Sequence, residues 1–354
     1  AHYGAAYLFL AYLYDRFGSG LIREMLADSR YTDFALVNDA LGKEGIRQTA
    51  DGLFKQWVVA NVLRNPSIDG GVYRYPQMQG KIAVKSISAP FTLSSQLHPY
   101  ASKYLVLAPT AGKPLHLTFK ALTSVPLVHL TQAGPFWWGN RGDMSATSLE
   151  RSVDLSHVRH ATLTFSTAYN IEKDYDYAYV EASTDGGITW ATLRGSHTTT
   201  SNPNGASYGN AYTGVDRPGG GEVQDHIDLS RYGGRRILLR FQYVTDDEYT
   251  GEGIILRNIA IPQIGWHDDF TGWQLHGFVP VFANTLPAQW HVQLIEYTTH
   301  RPRVAEIPLT GDHGTMTLDP GRMGLKKLVV AIYFTAPKTT VPSTYRVSVT
   351  TGTG

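Results

Sequence analysis

The chain opens on a helical pattern and then changes period. From Tyr3 to Tyr14 nearly every position is apolar, which predicts a helix buried on all sides, and Phe17-Gly18 supplies a stop. A second helix is expected at about Leu21 to Ala27. After a glycine-punctuated loop, Leu53, Phe54, Trp57, Val58, Asn61 and Val62 recur at helical spacing, and Asn65-Pro66 ends the run. Residues 1–66 therefore read as helical. Three such helices are too few to close a core of their own, so they read as the last helices of a larger domain.

From about Val72 the pattern becomes short alternating runs separated by Pro and Gly, such as Lys81 to Ile87, Lys103 to Ala108 and Leu115 to Phe119. It stays so to the end, through Ala161 to Thr167, Tyr177 to Ser183, Ile237 to Tyr243, His291 to Tyr297 and Leu328 to Phe334. Strands at this spacing without intervening helices predict a mainly β chain of antiparallel sandwich domains behind an N-terminal helical segment.

Charge divides the β region. Residues 72–132 carry six Lys and Arg and no Asp or Glu, residues 133–264 carry eleven basic against sixteen acidic, and residues 265–354 carry seven against six. The net charge of +1 hides a basic strip beside an acidic module. That strip is expected to face the acidic module, with an acidic polymer as the alternative. It lacks the aromatic interleaving of a nucleic-acid surface, so no nucleic-acid partner is expected. About sixty residues without a disulfide or evident metal are marginal as a sandwich. The predicted organisation is thus one accessory β-sandwich made of 72–132 and 265–354, with 133–264 inserted between its halves.

Composition excludes several chemistries. With no cysteine, thiolate zinc sites, Cys nucleophiles and redox pairs are ruled out. No apolar run reaches the ~18 residues of a membrane span. Thirteen histidines include no His-Glu-x-x-His, and His157 and His160 have the wrong spacing to converge from a strand. There is no Gly-rich phosphate loop before a helix and no Gly-x-Ser-x-Gly elbow.

Three motifs remain. Ser183 to Trp190 fits S-x-D-x-G-x-T-W, a hairpin turn in which the Asp accepts backbone N–H bonds and the Trp covers the hairpin. Trp137 and Trp138 are adjacent, so in a strand one ring points to the core and one outward, where it covers a neighbour or stacks on a sugar. The acidic stretch that begins at Glu172 and holds Asp174 and Asp176, the run that begins at Asp246, and Asp143 offer the hard oxygen ligands that calcium requires, although not at EF-hand spacing.

Taken in order, Phe136 to Asp143, Leu163 to Phe165, Tyr169 to Trp190, Asp228 to Tyr232 and Ile237 to Asp246 resemble the C-terminal half of immune inhibitor A type secreted bacterial metallopeptidases. The likeness spans roughly 136–264 and implies a MAM-like jelly roll beside a second accessory sandwich. One departure is Leu256-Arg-Asn-Ile-Ala, where the family type has an acidic pair. The opening segment His2 to Gly18 also resembles helices that follow the zinc site in gluzincins, which implies a helical remnant of a peptidase domain. By position, the resemblance makes His2 and Tyr3 candidate oxyanion stabilisers.

The resemblance implies the accessory region of a secreted, extracellular zinc metallopeptidase. The zinc ligands lie outside this chain, the upstream catalytic domain is its partner, protein substrates are the targets, and the chain alone is not hydrolytic. The alternative is an extracellular carbohydrate- or surface-binding β-sandwich protein that uses Trp137 or Trp138.

Overall fold

A side-chain N-cap in the helical segment shows how local chemistry places the helices. Thr49 Oγ1 accepts the N–H of Gly52 at 3.1 Å, and Asn38 Oδ1 accepts that of Ala50 at 2.8 Å. Two orphan donors of the helix Ala50–Leu63 are thereby satisfied, and Arg64 closes it in the left-handed region. The structure is a computed structural model that describes residues 2–27, 33–76, 80–109, 113–129, 134–216 and 221–352. It forms two units, one of residues 1–125, 287–337 and 342–354, the other of 126–286 and 338–341.

The first unit begins with four helices rather than three: α1 (His2–Phe17), α2 (Ser19–Ala27), α3 (Asp33–Lys43) and α4 (Ala50–Leu63). The helix α3 falls in the stretch read as a glycine-punctuated loop, although its buried Val37, Ala40 and Leu41 stand at the i, i+3, i+4 spacing of a helical face. Nor is α1 buried all round. Phe9, Tyr12 and Leu13 face the core, while Tyr7, Leu10 and Tyr14 are 68%, 38% and 51% exposed.

The strands of this unit are β1 (Val84–Ile87), β2 (Phe91–Leu97), β3 (Ser102–Leu107) and β4 (Leu115–Ala121), then β18 (Gln289–Thr298), β19 (Arg303–Glu306), β20 (His313–Leu318), β21 (Leu325–Thr335) and β22 (Ser343–Thr351). A single-turn helix α5 (Pro320–Met323) links β20 to β21. One sheet has the order β1-β3-β21-β18-β19 and the other β2-β22-β4-β20, so early and late strands interleave in both. From Leu328 to Thr335, β21 is buried on both faces. Tyr104, Ile295, Val329, Ala331 and Tyr333 pack against α4 and its neighbours, and the Tyr104 hydroxyl donates to the Val58 carbonyl at 2.9 Å. On the other face Trp290 packs on Phe334, Phe119 and Tyr345, joining the two sheets. Helices, a five-stranded sheet and a four-stranded sheet thus form three layers, in which the helices close their core on the sandwich.

Short strands β5 (Ser124–Val125) and β17 (Leu286–Pro287) lie where the chain leaves and re-enters this unit. Between them run β6 (Phe136–Trp138), β7 (Ala146–Asp154), β8 (Thr162–Asn170), β9 (Tyr177–Ser183), β10 (Ala191–Thr192), β11 (Val223–Asp228), β12 (Arg236–Val244), β13 (Gly253–Ile261), β14 (Trp266–His267), β15 (Gln274–His276) and β16 (Val279–Val281). They build two sheets, β10-β9-β12-β7-β15 and β11-β8-β13-β6-β16, with β14 paired to β13. Alternating residues such as Ile237, Leu239 and Phe241 from the first sheet and Leu163, Phe165 and Leu256 from the second share one core. The inserted sheets therefore run past residue 264 to Val281. Charge alone hides this, because β14 to β16 join through backbone pairing to β13, β7 and β6.

Candidate metal centre

Three connections in the inserted unit cross from one sheet to the other at the same end. They are the β6–β7, β8–β9 and β12–β13 loops, whose flanking residues Trp138 and Ile255, Asn170 and Gly253, and Val244 with Tyr177 and Ala146 are register partners. Acidic residues that are distant in sequence are collected there. Carboxylate oxygens of Glu172, Asp176 and Asp246 all lie within 4.8 Å of one another.

Each is held by its loop. The Asp176 N–H donates to the Glu172 carbonyl at 3.1 Å, forming a tight turn that brings both side chains to one place. Asp176 is fully buried; its Oδ2 accepts the Tyr243 hydroxyl at 3.0 Å and its Oδ1 the N–H of Asp246 at 3.1 Å. The Asp246 carbonyl accepts the Met144 N–H at 2.5 Å, and Thr245 Oγ1 donates to the Gly142 carbonyl at 2.6 Å, tying in the third loop. Glu172 Oε2 is buried and has no hydrogen-bond partner. Burial, then Asp246, Asp176, Glu248 and Asp143, push the Glu172 carboxyl above its usual range. Burial also raises Asp176, against the N–H and hydroxyl groups that favour its charged form.

Gathered, partly dehydrated carboxylates repel one another, and a hard divalent cation relieves that repulsion. The donor set is all oxygen and contains no imidazole, which suits calcium rather than zinc. Of the residues expected from sequence, Asp176 and Asp246 belong to the group. Asp143 lies near enough to raise Glu172 but outside the group, and its Oδ1 accepts Thr250 Oγ1 at 3.2 Å. Asp174 is not a member either. It takes a positive φ of 68°, and its carbonyl accepts the Tyr177 hydroxyl at 3.0 Å. Glu172, which begins the acidic stretch read from sequence, takes the place there that Asp174 was expected to fill.

The two tryptophans correct an expectation. Neither ring points outward, since both are 1% exposed. β6 lies between β13 and β16, with Trp137 in the main core and its Nε1 donating to Asp268 Oδ2 at 2.7 Å. Trp138 is enclosed on the opposite face by Leu127, Val128, Ile255 and Val281, and its Nε1 donates to the Glu252 carbonyl at 2.9 Å. Both are packing residues, and no sugar reaches them. His2 and Tyr3 open α1, and their side chains lie outside the described residues.

At the β9–β10 hairpin, Asp185 accepts the Thr189 N–H at 3.0 Å, Ser183 Oγ accepts that of Gly187 at 2.9 Å, and Trp190 Nε1 donates to the Gly187 carbonyl at 3.0 Å. Gly186 and Gly187 have φ of 78° and 93°, so the motif is a turn-forming device. Its Trp190 ring is capped by the Arg240 guanidinium, 3.9 Å from the ring centre.

A two-sheet β module that carries acidic cross-sheet loops at one end is the class this fold defines. Its family follows from sequence: residues 121–280 match the model described as Immune inhibitor A-like, MAM domain, and this region is of the immune inhibitor A-like MAM type. Immune inhibitor A of Bacillus thuringiensis subsp. alesti is 28% identical over 173 residues, which are 47% of this chain and 23% of that protein. Pre-pro-metalloprotease PrtV of Vibrio cholerae serotype O1, in strains M66-2 and ATCC 39315, is 30% identical over 125 residues, or 35% of this chain and 13% of that protein. The chain thus spans less than a quarter of the length of these relatives. Among solved structures, infectious bursal disease virus Gx strain aligns with 73% of this chain and 41% of that chain at 9% identity, but its TM-score of 0.14 carries no architectural argument.

Proposed function

We propose that this chain is the accessory region of a secreted zinc metallopeptidase, and that it supports the catalytic domain or positions protein substrates without hydrolysing them itself. The observation that carries the reading is the MAM-type match at 121–280, together with the similarity to immune inhibitor A and a pre-pro-metalloprotease. The helical layer adds support: Tyr7, Leu10 and Tyr14 with Ala11 and Ile22 line an apolar groove of about 330 Å³ on α1 and α2, a surface suited to a preceding catalytic domain. Among the described residues no helix is long and apolar enough to cross a membrane, which is compatible with an extracellular site.

The test compares the 354-residue chain with the full natural polypeptide on a casein gel. The full polypeptide is expected to clear casein, to lose this with a chelator and to regain it with zinc, while the chain alone leaves the gel blank. Chelator-sensitive clearing by the chain alone would overturn the reading, as would a natural polypeptide without His-Glu-x-x-His.

Within the inserted unit we propose that Glu172, Asp176 and Asp246 hold a structural calcium ion. Support comes from the all-oxygen donor set and from the buried Glu172 Oε2 that lacks a donor. At calcium a hundredfold above its dissociation constant the gain is ~2.7 kcal/mol, or roughly 5–10 °C for a unit of this size. A melting temperature that does not respond to millimolar calcium would sink this assignment.

A further inference from the structure

The outer face of the sheet β2-β22-β4-β20 has an unusual composition. Its inner positions, among them Leu117, Phe119, Val347 and Val349, are buried in the sandwich. Period-two alternation sends the intervening residues outward. Register places Ser94, Arg346, Lys120 and His313 side by side in one row across the four strands. The adjacent row is Thr92, Ser348, Thr118 and Thr315, and beyond it Thr350, His116 and Thr317 follow on three strands. All are exposed apart from the half-buried Ser348 and Thr118.

The four strands contain no Asp or Glu. The carboxylate beside the cationic row is Asp312, in the loop before β20, 3.5 Å from Lys120; both side chains are well exposed, at 49% and 68%. Such a pair is loosely held and exchanges readily for another anion. The imbalance extends through the whole sandwich portion: residues 81–125, 287–337 and 342–352 carry eleven Lys and Arg against four Asp and Glu.

We propose that this face binds an anionic polysaccharide, a chain that offers sulfate, phosphate or carboxylate groups together with hydroxyls. Strand spacing of ~4.8 Å makes the cationic row about 15 Å long, a straight track for an extended polymer. Arg346 and Lys120 supply the charge, and the flanking rows of Ser and Thr hydroxyls donate to and accept from sugar hydroxyls. Other polyanions fit less well. No Phe, Tyr or Trp side chain stands outward on these strands to stack on the bases of a single-stranded nucleic acid, and no large apolar side chain stands outward to enter a bilayer. The ligand is held by charge and hydroxyl geometry, a mode independent of Trp137 and Trp138 and of any upstream peptidase.

The experiment measures binding of the full 354-residue chain to dextran sulfate and to neutral dextran at about 50 mM salt, where surface charge is weakly screened. Binding to the sulfated polymer alone is expected. Lys120→Glu with Arg346→Glu should weaken it by roughly tenfold or more, and Lys120→Gln with Arg346→Gln by less. Arg159→Glu with Arg194→Glu, which changes net charge equally in the inserted unit, should leave it nearly unaltered; equal melting temperatures verify the fold of each variant. Absence of binding to dextran sulfate, equal losses in the two Glu pairs, or tighter binding to duplex DNA or phosphatidylglycerol vesicles than to dextran sulfate would each overturn the proposal.

Discussion

At the scale of single residues, burial decides what the acidic and aromatic side chains do. Glu172 and Asp176 are both held above the usual carboxylate range, chiefly by burial. A carboxyl whose folded pKa is raised takes up a proton on folding, so without calcium the protein should gain stability as pH falls from 7 toward about 5. With calcium bound the carboxylates stay ionised, and the same acidification should lower stability instead. Melting curves at the two pH values, in chelator and in calcium, check the sign; Glu172→Gln should flatten both responses. Asp185 behaves oppositely. Thr189 and Ser183 hold it at about 2, so its contribution is full above the ordinary Asp range and disappears only as pH falls through that value. Trp138→Ala should cost about 3–5 kcal/mol in a denaturant titration, because it empties a closed site. The adjacent tryptophans illustrate what sequence could not convey: alternation places their rings on opposite faces, but whether a face is covered depends on distant residues such as Leu127 and Val281.

At the scale of elements, period was legible and partnership was not. The change from helical to alternating spacing near Val72 marks the real passage from α4 to the strands, because the apolar period follows directly from backbone geometry. In α3 the buried apolar set is only Val37, Ala40 and Leu41, too short a run to stand out between glycines, and Asn38 between them caps α4, a partnership no period reveals. The attachment of α4 to the sheet includes Lys55 and His291 converging on Glu306, with Glu306 Oε1 2.9 Å from His291 Nδ1. His291, then Lys55, keep the Glu306 carboxyl below its usual range, the burial effect notwithstanding. Its stabilising contribution is therefore present above the ordinary Glu range and is lost as pH falls through the lowered value. Protection of the α4 amides, relative to their intrinsic exchange rates at each pH, should fall on acidification below about pH 4. Glu306→Gln should abolish that pH-dependent loss of protection, and an unchanged profile in this variant would show that the ion pairs do not hold the layer.

At the scale of the whole molecule, the interleaving of early and late strands makes the first unit depend on both ends of the chain. Residues 126–286 carry both sheets that enclose their core, whereas β1 to β4 find their central partners only in β21 and β22. Expressed alone, 126–286 should show a cooperative melt and 72–125 none, as circular dichroism would reveal. The same topology has a consequence for biosynthesis. When β3 leaves the ribosome its neighbour β21 is still roughly 220 residues from being made, so the first half of the sandwich, which has only the β1–β3 pair among its own strands, waits for its central partners while the inserted unit folds. Exposed strand edges are hazardous during such a delay. The waiting stretch, residues 72–132, bears six Lys and Arg and no acid, so nascent chains on neighbouring ribosomes repel one another until the final strands arrive. A charge pattern read first as a surface property thus also bears on folding, since it covers the interval before β21 and β22 are made.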